Sequence, residues 1–490
     1  MELQNPLIGG FNPDPSILFH DGTYYLVTST FEYLPGIPIY TSTDLKNWTL
    51  LSHVVTRSEQ LKLHGVPTGG GVWAPTIRHH DGIFYVVVTE AMGRGTLIFT
   101  ATNPAGPWDG GTVVEVDGID PDIAWDENGV CYMTYSGLTP ETGKHLGIQQ
   151  AKIDPSTGKR LEEPRSMWSG TGLMFPEAPH LYKIDKYWYL LIAEGGTERG
   201  HAVSIARGPS IEGPFEASPH SPFLSARSTS RTIQNTGHGD LFLAHDGNWY
   251  LVLLGMHIRG LTRSFSSLGR ETFITPITWR DGWPYAEPVT PSGDANLRTY
   301  SKDFRRDEIT GEMIAIRRMP QTVASQTSQG LTLVGKGQTM DSPNPEFVGK
   351  RQEILFGSIE LDASITGVGG LTLRYDENAH FDVEVTSDYI TARARLAFLN
   401  HEEKVARPSG MKRIKTFMKF YEPVAGYDTS MTSDLVDLGY FDEKGSAVVI
   451  ATYDGRYLSA EVTCSFTGRV FGAYAVDGEL TIHTLSEIPA

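Results

Sequence analysis

Asn12-Pro13-Asp14-Pro15-Ser16-Ile17-Leu18-Phe19-His20-Asp21-Gly22-Thr23-Tyr24-Tyr25-Leu26-Val27 is a short apolar strand, an Asp-Gly turn and an aromatic-rich strand, and the chain writes that pattern five times. Tyr25, Tyr85, Tyr132, Tyr189 and Tyr250 fall in one column of the repeat, spaced by 60, 47, 57 and 61 residues. Asp81-Gly82, Asn128-Gly129 and Asp246-Gly247 supply the turns of three other units, as tight hairpins require. A repeat of this length predicts four-stranded blades set radially around an axis. Trp48, Trp108, Trp168, Phe215 and Trp279 recur late in each unit and are expected to fill the space between blades. Counting back eleven or twelve residues from each tyrosine reaches Asp14, Trp73, Asp120, Glu177 and His238. Residues just before the innermost strands face the centre of a propeller, so these five are expected to converge there.

Working outward, the repeat ends near residue 290, and alternating strands without five-fold repetition follow, such as Phe356–Leu361, Leu371–Tyr375, Phe381–Val385 and Ala447–Tyr453. The expected fold is all-β. A five-bladed β-propeller over 1–295 is followed by a linker at 296–305 and a β-sandwich of concanavalin or jelly-roll type over 306–490, packed on the propeller. The 52 glycines and 29 prolines of the 490 residues suit such a turn-rich chain.

A net charge of -17 argues against a nucleic-acid partner, which would want a basic footprint. A neutral, small substrate fits better. The N-terminal Met1–Pro6 stretch has no signal-peptide pattern and no apolar run reaches membrane-span length, so no membrane partner and a cytoplasmic location are expected. Cys131 and Cys464 fall within expected strands of different domains and are expected to be two buried, reduced thiols.

Three carboxylates gathered with aromatic and cationic groups, without a cysteine nucleophile, phosphate loop or zinc motif, point to acid–base work on a neutral substrate. Glycoside hydrolysis needs one protonated carboxyl for the leaving oxygen and one ionised carboxylate for water or the sugar. A third acid can tune the donor by like-charge repulsion. Aromatic faces suit the apolar faces of a sugar ring.

The stretches Asn12–Ser16, Gly71-Val72-Trp73-Ala74-Pro75, Gly118-Ile119-Asp120-Pro121, Glu177–Lys183, Glu194–Thr197 and Gly237-His238-Gly239-Asp240 resemble glycoside hydrolase family 43. Ser29–Glu32, Gly36, Asp44–Trp48 and Leu268–Thr272 resemble its β-xylosidase branch, with Phe347–Gln352 and Phe466-Thr467-Gly468 resembling the appended sandwich. The resemblance implies Asp14 as general base, Glu177 as general acid and Asp120 as the residue that tunes and positions the acid. It implies inversion, with Asp14 and Glu177 about 6.5–9.5 Å apart. Phe31 and Trp73 would wall the terminal sugar subsite, Arg270 would bind sugar hydroxyls near Asp14, and Phe466 would approach the sugar from the sandwich. His238 would give structural support or ligate a hydrated calcium ion. No cofactor is expected to be required beyond that calcium, and a homo-oligomer is left open. The implied activity is exo-acting release of terminal β-D-xylosyl residues from xylo-oligosaccharides, with α-L-arabinofuranosidase activity beside it.

Taken singly, these residues have plainer readings: an Asp-Pro is usually a turn, Glu177 a loop acid, Trp73 core, His238 structural and Arg270 a surface cation. Two departures bear on the substrate. A polar Thr139–Gly143 loop follows the third-blade acid, and Arg57-Ser58-Glu59-Gln60-Leu61 places an extra acid near the rim. A chiefly α-L-arabinofuranosidase enzyme and a non-catalytic sugar-binding propeller are the two alternatives.

Overall fold

The computed structural model describes residues 3–260, 264–292, 298–422 and 434–490; of the expected linker, 296–297 lie outside the described residues. The chain forms two compact units. The first takes Met1–Glu32, Gly36–Met256 and Glu271–Ser292, and the second takes Tyr33–Pro35, His257–Arg270 and Gly293–Ala490.

The first unit is the expected propeller of five blades, each built on a four-stranded antiparallel sheet. The innermost strands are Ser16–His20, Gly71–His80, Gly118–Trp125, Glu177–Ile184 and Ile233–Leu243. Each neighbours the next, and the fifth neighbours the first, so the ring is closed. Asp21 and Gly22 at φ 47° and 74°, and Asp81 and Gly82 at 48° and 77°, make the tight turns to the tyrosine strands. Blades meet through apolar clusters, as when Ile148 and Tyr132 of blade three pack with Leu181, Leu190 and Ile192 of blade four. Trp168 and Phe215 join that cluster, and Trp279 joins the one between blades four and five. The N-terminal segment clasps the third strand of blade five, Glu271–Arg280. Leu7 N donates to Thr272 O at 2.8 Å, and the Asn5 side chain bonds Ile274 O at 2.9 Å and Ile274 N at 2.8 Å.

The second unit is a sandwich of an eight-stranded and a six-stranded antiparallel sheet. Gly357–Ile365 of the larger sheet alternates buried and half-buried residues, as a strand with one face in the core must. Ile359, Leu361 and Ala363 there meet Leu371, Leu373, Phe381 and Val383 of the smaller sheet in a single core. The boundaries differ from the sequence reading. Tyr300–Asp303, expected as linker, already pairs with Glu479–Pro489, because its backbone groups complete that sheet's edge. Tyr33–Leu34 pairs with Ala315–Ile316, which explains why a short piece of the N-terminal third counts with the second unit. Cys131 is buried as expected, and burial pushes its thiol pKa up. Cys464 corrects the expectation: it is exposed and left-handed at φ 54°, capping the short helix Ala460–Thr463 rather than lying in a strand. Among the described residues no helix is long and apolar enough to cross a membrane.

Candidate active site

In each blade a left-handed residue lies on or just ahead of the innermost strand, Asp14, Ala74, Asp120, Ala178 and His238, at φ between 43° and 57°, with Asn235 a second one in blade five. In blades two to four this residue sits in a β-bulge, where pairing shifts between Trp73 and Thr76, Ile119 and Asp122, and Glu177 and His180. A bulge turns a side chain out of the strand alternation and aims it. Asp tolerates the left-handed region better than most residues, which suits it to this position. Asp120 is therefore set by a strand bulge, and Asp14 lies just ahead of the strand Ser16–His20, neither in the hairpin turn that an isolated Asp-Pro suggests.

The five residues counted back from the tyrosines are thus not all equivalent. In blades one to four the tyrosine pairs with the residue four past the left-handed one: Leu18, Arg78, Ala124 and Tyr182. Blade three has a hairpin one residue longer, so a count of twelve is right for Asp120 and overshoots in blades two and four. Trp73 and Glu177 stand one residue earlier, at positions paired to Thr89 and Ala193.

Asp14 is buried, and Ser29 Oγ donates to its Oδ2 at 2.6 Å while accepting from Ala74 N at 2.7 Å. His238 Nδ1 lies 3.5 Å from Asp14 Oδ1. Blades one, two and five thus converge on this carboxylate. Glu177, half-buried, is held through the backbone on both sides. Ser136 Oγ donates to Pro176 O at 2.8 Å, and Ala178 N donates to Asp120 Oδ2 at 3.1 Å. Glu194, fully buried, holds the loop before the acid by accepting from Thr171 N at 2.7 Å and Thr171 Oγ1 at 2.9 Å.

Phe31 and Trp73 are brought together with ring centroids 6.4 Å apart, because Phe31 and Val72 exchange backbone hydrogen bonds, both 3.0 Å. Gly71, at φ 92°, permits this approach: a Cβ there would lie 2.3 Å from Phe31 O. Trp73 Nε1 donates to Gly69 O at 2.8 Å. Phe31 is only 2% exposed, so Trp73 offers more ring surface than Phe31 does. Arg270 and Phe466 belong to the second unit, where Arg270 Nη2 donates to Phe466 O at 2.9 Å and the guanidinium lies 5.7 Å from the phenyl centroid. The Phe466 side chain is exposed.

Residues 3–284 match the model of the glycosyl hydrolases family 43, and residues 301–481 match the β-xylosidase C-terminal concanavalin A-like domain. The chain belongs to glycosyl hydrolase family 43. This family 43 enzyme is 34% identical to a non-reducing end α-L-arabinofuranosidase of Bacteroides ovatus, over 96% of this chain and 91% of that one. It is 35% identical to a xylosidase/arabinosidase of Butyrivibrio fibrisolvens, over 71% and 72%. The crystal structure of a xylan β-1,4-xylosidase from Bacillus halodurans superposes with a TM-score of 0.88 at 26% identity, covering 99% of both chains. The all-β propeller-plus-sandwich fold and the glycoside hydrolase class are thereby established for the family 43 chain.

Calcium takes six to eight oxygen ligands. Among the described residues no three His, Cys, Asp or Glu side chains converge as a metal cage, and at the centre His238 offers one ring nitrogen beside Asp14. These residues do not fit a calcium held by the protein itself, and no step here passes through one.

One layer deeper lies a cluster that the sequence reading missed. Two residues past each left-handed position stand Ser16, Thr76, Asp122, His180 and Asp240, all buried and all polar. Arg78 joins them: its Nη1 lies 2.9 Å from Asp240 Oδ2, and its Nη2 lies 3.1 Å from Asp122 Oδ1 and 3.0 Å from His180 Nδ1. Ser16 Oγ and Tyr182 OH donate to Asp240 at 2.7 and 2.6 Å. Side chains of all five innermost strands line this layer. The signal was available in the sequence as polar residues at one fixed offset within otherwise apolar strands.

Burial alone would raise the Asp240 pKa, but the Arg78 guanidinium, His180 and the hydrogen bonds outweigh it and hold the carboxyl well below the usual range. A depressed folded pKa gives stability that is present above the unfolded value, about 3.9, and lost as pH falls through the folded one. Asp240→Asn, which breaks a buried ion pair, is expected to cost about 3–5 kcal/mol at pH 7. The gap in melting temperature between wild type and variant should narrow as pH is lowered from 7 to 3. Melts giving the same gap at both pH values would contradict this.

Proposed function

We propose that this family 43 chain is an exo-acting, inverting glycoside hydrolase that releases terminal β-D-xylosyl residues from short xylo-oligosaccharides and also acts on α-L-arabinofuranosides. The observation that carries the reading is the placing of Asp14 and of Glu177, with Asp120 beside it, at the innermost strands of the closed ring. Asp14 is gripped directly through its oxygens by Ser29 and faced by His238, which suits an ionised base that activates water. The backbone on both sides of Glu177 is anchored, Pro176 O by Ser136 Oγ and Ala178 N by Asp120 Oδ2. That suits a proton donor at the leaving oxygen with a neighbouring acid that positions it. Trp73 beside Phe31 supplies an apolar surface for the sugar.

A chiefly arabinofuranosidase enzyme is the second reading, favoured by the 34% identity to the Bacteroides ovatus protein of that name along nearly the whole chain. The deciding experiment is kcat/KM on p-nitrophenyl β-D-xylopyranoside and p-nitrophenyl α-L-arabinofuranoside side by side, with Glu177→Gln as blank. The expected result is hydrolysis of both with preference for the xyloside. A large preference for the arabinoside would replace the first reading with the second. Ligand bound but left intact by the wild type would reduce the propeller to a binding module. Exo action is checked by viscosity: rapid thinning of soluble xylan at low extents of hydrolysis would show internal cleavage and sink that part.

A further inference from the structure

We infer that Asp122, held in place by Arg78, is a second positioning residue for the general acid, a role that rests on the reading of Glu177 as that acid. The strand that carries Glu177 leaves its own sheet's register between Glu177 and His180. Within that bulge Pro179 has no N–H, and Ala178 N–H goes to the neighbouring blade, to Asp120 Oδ2 at 3.1 Å. Ahead of the bulge Pro176 O is held by Ser136 Oγ and Glu177 pairs with Ala193, and past the acid Asp120 is the first anchor from the neighbouring blade. The second anchor is Leu181 N, which donates to Asp122 Oδ2 at 2.9 Å. Two carboxylates on one strand of blade three, two residues apart, therefore pin two points of the blade-four strand just past the acid, and two points fix a direction.

Asp122 can do this only while its carboxylate stays aimed. Its side chain is 1% exposed. The other oxygen, Oδ1, is met by Arg78 Nη2 at 3.1 Å in an ion pair. Arg78 is itself fixed from three sides. Its Nη1 reaches Asp240 at 2.9 Å and Ile77 O at 3.0 Å, and His180 Nδ1 accepts from Nη2 at 3.0 Å. A guanidinium presents its donors in a rigid fork, which a lysine cannot copy. Arg78 and Asp122 touch neither the sugar nor the reacting atoms; they act through the backbone that bears Glu177.

The test separates positioning of the acid from loss of fold by varying the leaving group. A phenyl glycoside needs protonation of its departing oxygen, whereas a 2,4-dinitrophenyl glycoside of the same sugar does not. Asp122→Ala is expected to lower kcat on the phenyl glycoside by about 10²-fold, the cost of a small misplacement. KM and kcat on the dinitrophenyl glycoside should stay near wild type. Asp122→Asn, which keeps an acceptor for Leu181 N, and Arg78→Lys, which keeps the charge, are expected to fall between, and they serve if the alanine variant does not fold. Folded variants that lose both substrates equally, or lose neither, would overturn the inference. Glu177→Gln run in the same assay keeps the two readings apart. If it shows the leaving-group dependence and the Asp122 and Arg78 variants do not, this inference alone fails. If it shows none, the assignment of the acid fails first.

Discussion

Glu177→Gln is expected to lower kcat on a xyloside or arabinofuranoside with a poor leaving group by about 10²–10⁴-fold, the usual contribution of a general acid. The size follows from what the substitution leaves untouched. The bonds that hold the Glu177 backbone in place are made by neighbouring groups. Pro176 O is held by Ser136 Oγ, Ala178 N by Asp120, and the strand pairs at Ala193. Glutamine has the same shape and keeps two polar atoms on the terminal group, so the substitution removes a transferable proton and little else. KM should therefore change little, and thermal stability should stay near wild type. An activated 2,4-dinitrophenyl substrate should recover most of the rate. A Glu177→Gln enzyme with wild-type turnover of xylobiose would remove this residue from the chemistry and with it the proposed acid–base pair.

How much of this was legible beforehand depends on what each residue's role is made of. The propeller could be read because its signal repeats: Asp-Gly turns and tyrosine strands recur, and the five sheets follow them. Asp14, Asp120 and His238 could be found because they share a backbone conformation at one point of that repeat. Trp73 and Glu177 were found by a count that is one residue too long for their blades, since hairpin length is set by turn chemistry and not by distance from the centre. The Arg78 layer left only a faint trace, polar residues at one fixed offset. Hydrophobic periodicity marks its positions as strand interior, and only the closed ring shows that five such positions from five blades meet. Pairing partners across long separations are equally silent in the sequence. Nothing in Tyr33-Leu34 announces that its ladder partner is Ala315-Ile316, nor in His257–Arg270 that it is counted with the sandwich. Cys464 was misread because the turn that caps Ala460–Thr463 follows a run that looks strand-like.

Asp14→Asn is expected to lower kcat by about 10²–10⁴-fold on every leaving group alike, which distinguishes it from the loss at Glu177. The base acts on water, so its contribution does not depend on how readily the sugar's partner departs. The substitution is also clean. Asp14 sits at φ 57°, a conformation that asparagine adopts more readily than any other residue except glycine, so the local backbone should survive. The amide oxygen can still accept from Ser29 Oγ, which now does so at 2.6 Å from the carboxylate, and Ser29 can still accept from Ala74 N. What is lost is the negative charge that takes water's proton. Asp14→Ala would be a poorer test, because it abolishes the Ser29 contact and forces a left-handed alanine at once. Ser29→Ala isolates the contact: it leaves the charge and removes the hydroxyl that holds it, with an expected loss of about 10²-fold or less in kcat from misplacement of the base. Should Asp14→Asn keep its rate while Ser29→Ala loses it, Asp14 would be a structural residue at the entry to its strand. The water would then have to be activated elsewhere, with Asp120 as the carboxylate to examine.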